Sequence, residues 1–382
     1  MPNPLPNSAA ASLNPVLDKR DRKEFMQLAH RLYRDDPAWV APLDIEFSDR
    51  VWGANPYLKR ATVRTWLARR GDRTVGRISA QWDPLQQEFQ GDGVGNFGLI
   101  ECENDPDVAK LLFEAAGDWL REQGATSMRG PFNLSVNEEC GMLIDGFDTP
   151  PSIMMPHGLP YYDALFQQAG LCKGKDLIAY RVAPDFDAPK VMTRLSKSLG
   201  DSVAVRPINK KNAKAELETI RDVFNDAWSK NYGFVPFTEE EFAAVGQMVT
   251  LLMPADYVQI AEVNGEAAAF IVAMPNINEV AATFGGKLLP FNWLKLIWGL
   301  KVRHPRSARV PLMGVRQHFQ HSRHGPGLAF LVIDAVRKAL CANGVREVEL
   351  SWILEDNSGM RSIIESIGGE AYKTNRIYEK AL

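Results

Sequence analysis

The sequence predicts an α/β protein in which one structural unit occurs twice. Three observations carry this. The order helix, hairpin, strand, helix, strand, short helix, strand runs through the first half and recurs in the second. Each half has a hairpin turn, Gly71-Asp72 in the first and Asn264-Gly265 in the second. Each long helix ends on a glycine, Gly124 or Gly344.

In the first half, Lys19 to Arg34 suggests a helix with Phe25, Leu28, Ala29 and Leu32 on its apolar face. Thr62 to Arg69 and Thr74 to Trp82 alternate as the two strands of a hairpin. A strand at Val94 to Ile100 follows, then a helix opened by Asp105-Pro106 with Val108, Leu111, Leu112, Ala115, Trp119 and Leu120 on one face. Next come a short strand at Thr126 to Gly130, a long polar loop, a short helix at Tyr162 to Ala169, Gly170, and a strand at Leu177 to Val182. In the second half a helix at Ala213 to Trp228 precedes the hairpin of Tyr257 to Val263 and Ala267 to Met274. The strongest local signal is Arg309 to Gly344: a candidate strand from Arg309 to Phe319, the turn Arg323-His324-Gly325-Pro326-Gly327, then an amphipathic helix. A glycine turn between strand and helix aims backbone N–H groups and a helix N-terminus at one point, where a phosphate could sit; it is also an ordinary tight turn. A strand at Glu347 to Ile353, a short helix at Met360 to Ile367, Gly368-Gly369 and a strand at Asn375 to Lys380 complete the second unit. The expected organisation is a disordered arm over 1–16, one domain over 17–185 and another over 186–382.

Composition excludes several classes. With 382 residues, 45% hydrophobic and 24% charged, the chain has an ordinary globular make-up, and a net charge of -3 argues against a general nucleic-acid binder. The four cysteines, Cys102, Cys140, Cys172 and Cys341, are scattered, with neither a zinc spacing nor a disulfide framework, which suits a reducing, cytoplasmic compartment. The first sixteen residues lack a basic start followed by an apolar run, and no uncharged apolar run is long enough to span a bilayer.

The two copies differ by one large insertion each. From hairpin glycine to helix-stop glycine is 53 residues in the first and 79 in the second; from there to the glycine after the short helix is 46 in the first and 24 in the second. Insertions on a repeated scaffold fall in loops, where function is commonly placed.

The element order and the second copy's residues resemble the GNAT superfamily of acyl-CoA N-acyltransferases. Gly325-Pro326-Gly327 resembles the end of that superfamily's pyrophosphate loop, and Asn357, Met360, Ile363 and Gly368 fall where its short-helix pattern would place them. Ser322 stands where the loop usually begins with Gln or Arg, and Ile364 where many members carry a tyrosine acid. The first copy has the acidic, glycine-free Glu101-Cys102-Glu103-Asn104-Asp105 at its turn, which would repel a pyrophosphate. Its insertion, Arg129-Gly130-Pro131-Phe132-Asn133-Leu134-Ser135-Val136-Asn137-Glu138-Glu139-Cys140-Gly141 onward, is similar to a bacterial family of tandem GNAT-like proteins that includes ceramide synthases, as are Trp352 to Asn357 and Arg376 to Lys380. The resemblance implies two GNAT-like domains, each a mixed, mostly antiparallel sheet flanked by helices. It implies acyl-CoA as donor and no metal. Arg323, His324, Gly325, Pro326, Gly327 and Asn357 would hold CoA, with the strand at Gly314 and Val315 beside the reacting carbonyl. The acceptor would be an amino lipid of the sphingoid type, and the product an amide. Transfer to a sugar or peptide amine, or a lipid- or CoA-binding protein without turnover, stays open.

Amide formation needs a neutral amine, and an alkyl ammonium loses its proton only near pH ~10, so a base is required. Candidates are His318 on the expected strand, Glu349 on the next, and Glu138 or Glu139 in the first copy's loop. For Glu349 a salt bridge or solvated strand end competes with catalysis, and for His318 a structural hydrogen bond. Oxyanion donors would be backbone N–H groups around Gly314 and Val315. Asn133, Ser135, Asn137 and Glu138 suit a polar head group, and Arg129 with Tyr161 and Tyr162 could line the same cleft, with loop structure and packing as the alternatives. The second insertion, Leu288 to Leu300, is apolar, bears Trp293 and Trp298, and is followed by Lys301, Arg303, Arg306 and Arg309. Residues 288–309 thus suggest a peripheral contact with the inner membrane or a roof over an acyl chain; a buried helix packing the halves together is the other reading.

Overall fold

The computed structural model describes residues 10–320, 322 and 325–382. The first half contains β1 (Ser12–Pro15), α1 (Lys19–Leu32), α2 (Asp44–Trp52), α3 (Tyr57–Arg60), β2 (Thr62–Arg70), β3 (Arg73–Trp82), α4 (Pro84–Gln90), β4 (Val94–Cys102), α5 (Pro106–Glu122), β5 (Ser127–Gly130), β6 (Phe132–Asn133), β7 (Glu139–Cys140), β8 (Met142–Asp145), α6 (Tyr162–Gln168) and β9 (Cys172–Val182). The second contains α7 (Lys190–Ser198), β10 (Val203–Pro207), α8 (Ala213–Trp228), α9 (Glu239–Leu252), β11 (Val258–Val263), β12 (Glu266–Pro275), α10 (Asn278–Ala281), α11 (Asn292–Trp298), β13 (Ser307–Val315), α12 (Gln317–Gln320), α13 (Gly325–Ala342), β14 (Glu347–Leu354), α14 (Ser358–Ser366) and β15 (Glu370–Ala381).

Thirteen strands form one sheet in the order β1-β2-β3-β4-β5-β15-β9-β14-β13-β12-β11-β10, with β8 also pairing β15. Among the described residues, only β4–β5 and β13–β14 pair in parallel. The last strand of each half lies in the other half's territory: β9 pairs with β14, and β15 pairs with β5. The chain boundary near residue 185 is therefore not a boundary of the sheet. Tyr378 of β15 shows the consequence, since it is fully buried in the first half's core, its ring 4.9 Å from Phe166.

Helices cover both faces because the strands are apolar on both. In β2, Leu67 faces a core with Phe25 and Phe47, whereas its neighbours Trp66 and Ala68 face Leu112, Phe113 and Phe166. The same alternation in β12 turns Ile271 and Val272 to opposite sides. Asp18 caps α1 and Asp105 caps α5, each through its carboxylate.

Two expectations are corrected. Ser12–Pro15 is not part of a disordered arm: it pairs with Trp66 to Arg69 as an edge strand, while residues 1–9 lie outside the described residues. The strand expected over Arg309 to Phe319 ends at Val315, and His318 sits on the short helix α12, because Arg316 N is the last to donate across to β12 and Gln317 N is drawn away to the Asp226 carboxylate.

The exchanged strands make each half depend on the other. Expressed alone, residues 1–185 are expected to be insoluble, and co-expression with 186–382 to restore a soluble complex; solubility and far-UV circular dichroism check this. Phe166→Ala, which empties the middle of the first half's aromatic cluster, should cost about 3–5 kcal/mol in denaturant unfolding.

Candidate active site

The site begins with the parting of two strands. β13 and β14 pair only over Ser307–Val310 and Glu347–Leu350. The next residue of β13 is Pro311, which has no N–H to continue the ladder. Beyond it β13 stays with β12, and β14 with β9. Arg316 N donates to Ala268 O on the β12 side, so alternation turns the N–H groups of Met313 and Val315 into the split.

A cavity of about 410 Å³ occupies the split on the α13/α14 face. Ala329, Ile333 and Val336 of α13 and Met360 and Ile363 of α14 form its walls, with Gly325 and Pro326 at the start of α13 and Asn357 at the start of α14. Asn357 caps α14 by accepting from Met360 N at 3.1 Å. A second, smaller cavity of about 60 Å³ lies on the opposite face, between α8, α9 and the sheet, lined by Ile220, Phe224, Phe237, Phe242, Val272 and Met274. Trp228, Pro311 and Trp352 line both, so the two cavities adjoin across a shared wall at the split. The Trp228 and Trp352 rings stand edge to face at 5.8 Å, and Trp228 Nε1 donates to Met313 O at 3.0 Å.

The polar side of the smaller cavity comes from the first half. Asn137 and Glu138 line it, on the insertion after β6. Glu138 is held by Asn55 Nδ2 at 3.0 Å and Arg50 Nη1 at 3.4 Å. Burial pushes its carboxyl up to about 7, against the opposing pull of Arg50 and Asn55. Arg309 also reaches this cavity; its guanidinium donates to the carbonyls of Ile153 at 2.9 Å and Met154 at 3.1 Å and to Ser351 Oγ at 2.8 Å.

The structure brings together some of the residues expected from sequence. Gly314, Val315, Gly325, Pro326 and Asn357 line the large cavity. Arg323 and His324 lie outside the described residues. Gly327 is one turn into α13, where a Cβ would stand 3.0 Å from Leu199 Cδ1 and 3.3 Å from Leu195 O, so it seats α13 on α7.

Other expected residues lie elsewhere. His318 is exposed on α12 and faces Glu266 at 3.4 Å, outside both cavities. Glu349 is buried, receives hydrogen bonds from Ser351 and Tyr372, and stands 3.7 Å from Arg309, outside both cavities. Glu139 binds Asn133 at 2.7 Å and Arg50 at 3.7 Å, and Asn133 in turn accepts from Leu99 N, so these side chains shape the loop. Ser135 is buried and accepts from Asn137 N at 3.1 Å. Arg129 is bound to Glu379 at 2.7 Å and lies over the Tyr232 ring. Tyr161 and Tyr162 pack in the first half's core and donate to Cys102 O at 2.7 Å and to Glu101 at 2.6 Å. Trp293 and Trp298 are exposed on α11, which buries no residue; this also removes the buried-helix reading of that segment.

Sequence reasoning missed Pro311, Trp228 and Phe224. Pro311 had a signal: a proline inside a strand marks the end of a ladder. Trp228 and Phe224 looked like ordinary apolar positions of α8.

The corresponding place in the first copy is packed. β4 and β5 also part, after Val94–Asn96, and there β6 lies so close to β4 that Gly98 has no room for a Cβ beside Phe132 O, while Phe97, Phe113, Phe166 and Tyr162 form an aromatic cluster with ring centroids 4.9 to 6.2 Å apart. The N-terminus of α5 is already occupied by Asp105, whose carboxylate accepts from Asp107 N and Val108 N and binds Arg70.

No family profile matches the chain. It is 43% identical over 378 residues to a bacterial ceramide synthase of Caulobacter vibrioides, covering 98% of both chains, and 45% identical over 367 residues to Protein YghO of Escherichia coli K12, covering 96% of this chain and 94% of that one. The chain belongs to the tandem GNAT-like family that includes the bacterial ceramide synthase. A tandem GNAT protein from the clavulanic acid biosynthesis pathway superposes with a TM-score of 0.58 at 13% identity, over 97% of this chain and 98% of that one. A GCN5-related N-acetyltransferase from Sphaerobacter thermophilus superposes at 0.54 and 12%, over 97% and 96%. The protein is a GNAT-fold acyltransferase.

Two outcomes follow from the geometry. On the expectation that the large cavity receives the donor, Ala329→Trp, which fills it from α13, should weaken CoA binding at least about a hundredfold in calorimetry, the loss expected when a bulky ring displaces a bound chain. For Glu138, the folded protein keeps a proton between about pH 4.5 and 7 that the unfolded chain releases, so this group's contribution to stability is present below that window and lost as pH rises through it. Glu138→Gln removes that loss, and its melting temperature relative to the parent should rise from pH 5 to pH 8 in a thermal series.

Proposed function

We propose that the protein transfers a long acyl chain from acyl-CoA to the amine of a sphingoid-type amino lipid, forming a ceramide-type amide. The observation that carries this is an apolar cavity and a smaller, Glu138-lined cavity on either side of one wall, Trp228, Pro311 and Trp352, at the split. The C-terminal unit, 186–382, would hold the donor, with its pantetheine arm between α13 and α14 and its diphosphate near Gly325 and Pro326. The N-terminal unit, 17–185, would supply the acceptor loop.

In this reading the thioester carbonyl lies beside Trp228 and Trp352, and its oxygen faces the N–H groups of Met313 and Val315. The acceptor's ammonium first gives up one proton to solvent, and the neutral amine attacks the carbonyl carbon from the Glu138 side. Once bonded to that carbon the nitrogen is acidic, and Glu138, a carboxylate above about pH 7, takes its proton. The tetrahedral intermediate collapses by breaking the C–S bond, and the sulfur leaves as a thiol with a proton from solvent, since Ile364 offers none. The amide and free CoA are the products. The apolar lining of the larger cavity and the 43% identity to a bacterial ceramide synthase support a long-chain substrate. Such substrates partition into bilayers, which fits a peripheral membrane association.

Purified protein incubated with a long-chain acyl-CoA and a sphingoid base should release free thiol in proportion to amide formed; no release across chain lengths sinks the reading. Glu138→Gln should lower kcat by about 10²- to 10⁴-fold and remove the limb of the pH profile that rises near pH 7. A Glu138→Gln enzyme with the parent's rate and pH profile would place the base elsewhere.

A further inference from the structure

Between Glu279 and Asp334 there is no acidic residue, and the 54 residues in that interval carry eight lysines and arginines. The chain as a whole has a net charge of -3, so the remainder carries -11. Such segregation is a property of position and not of composition. Within the same interval, seven of the eleven exposed large apolar side chains among the described residues fall between Leu289 and Val302. Phe291 is 70% exposed and Val302 63%, with Trp293, Leu294, Ile297 and Trp298 also open to solvent.

This surface is ordered. The turn into α11 is closed by Trp293 N donating to Leu288 O at 3.0 Å, Trp293 Nε1 to Pro290 O at 2.9 Å, and Asn292 Nδ2 to Lys287 O at 2.7 Å. At the other end Gly299 packs so closely on Val280 that a Cβ would come within 2.8 Å, and Leu300 is buried. On the near side Gly286 O accepts from Asp44 N at 2.8 Å, tying the segment to α2. The apolar face is therefore held outward by the fold.

We propose that the segment from Lys287 to Arg306 is a docking surface for an anionic lipid bilayer. α11 is too short to cross a membrane, and no helix among the described residues is long and apolar enough to do so, so it would lie in the interface plane. Tryptophan beside exposed lysine and arginine is the side-chain pairing of that zone, with the rings at the headgroup level and the cations on anionic phosphates. Lys287, Lys295, Lys301, Arg303 and Arg306 are all exposed around the apolar patch. The same charges argue against a second copy as the occupant, because a two-fold contact would set one basic rim against its own image.

The test is co-sedimentation of the full chain with vesicles of phosphatidylcholine alone and with phosphatidylglycerol added, at low and high salt. Binding to the anionic vesicles that falls with salt is expected. Combined Lys287→Glu, Lys295→Glu and Arg303→Glu should lower it at least about a hundredfold, from roughly fivefold per cation removed. Combined Phe291→Ser, Leu294→Ser and Ile297→Ser should abolish it even at low salt. All six residues are exposed, and circular dichroism together with CoA binding shows that the variants stay folded. Equal binding to neutral and anionic vesicles, no binding to either, or charge variants that bind like the parent would overturn the proposal. So would a dimer in analytical ultracentrifugation that the serine variant dissolves, which would assign the face to a second copy. Vesicle binding is read without turnover, so its outcome is separate from that of the acyl-transfer reading.

Discussion

Everything in this molecule depends on the exchange of β9 and β15. A strand that pairs outside its own half converts two units into one sheet, because every backbone N–H and C=O buried along the seam needs a partner and the other half supplies it. The exchange also sets β9 beside β14 and brings the loop after β6 against α8 and the β13–β14 split. Asn137 Nδ2 donating to Val235 O at 3.1 Å is one of the contacts that holds the two halves' loops together. Without that seam, Glu138 would have no reason to face an apolar cavity built by the second half.

The split at Pro311 is the second constraint, and it is braced by charge. Arg309 and Glu349 are both buried at the last paired rungs, where isolated charges would each cost several kcal/mol. Their environment satisfies them: Arg309 donates to three backbone carbonyls and Ser351 Oγ, and Glu349 accepts from Ser351 and Tyr372. These bonds tie β13, β14, β15 and the loop at Ile153–Met154 into one knot just below the opening. Two strands can then diverge above it without the sheet unravelling. The first half has the same parting of parallel strands, but there β6 lies against Gly98, Phe97 joins an aromatic cluster, and Asp105 occupies the helix terminus. The same parting of parallel strands thus borders a cavity in one copy and a packed core in the other.

Much of the fold was legible because it follows from periodicity. The helix over Ala213 to Trp228, both hairpins and the strand at Glu347 are local patterns of apolar spacing and turn chemistry, and the structure has them within a residue or two. The internal repeat and the glycine-free first turn likewise set the copy with the cavity of about 410 Å³ apart from the one whose helix terminus Asp105 occupies. His318 was misplaced for a local reason as well: the apolar and polar residues up to Phe319 continue a strand-like pattern, and nothing adjacent in sequence shows that Asp226, some ninety positions away, takes Gln317 N. Glu138 and Glu139 are neighbours with the same chemistry. That one lines a cavity while the other bonds Asn133 is set by a turn and by Arg50 and Asn55 from α2 and the residues after it.

By itself the sequence determined the repeated α/β unit, the glycine-rich start of α13, the apolar, basic segment at Leu288 to Arg306 and the family to which these belong, because each depends on residues close together in the chain. Only the tertiary structure decided that the last strands exchange, that Pro311 opens the sheet between Trp228 and Trp352, that α11 faces outward, and that Glu138 has a carboxyl pushed up to about 7. The physical reason is that burial, hydrogen-bond partners and the electrostatic environment of a carboxylate are sums over neighbours, and here those neighbours come from segments up to two hundred residues apart.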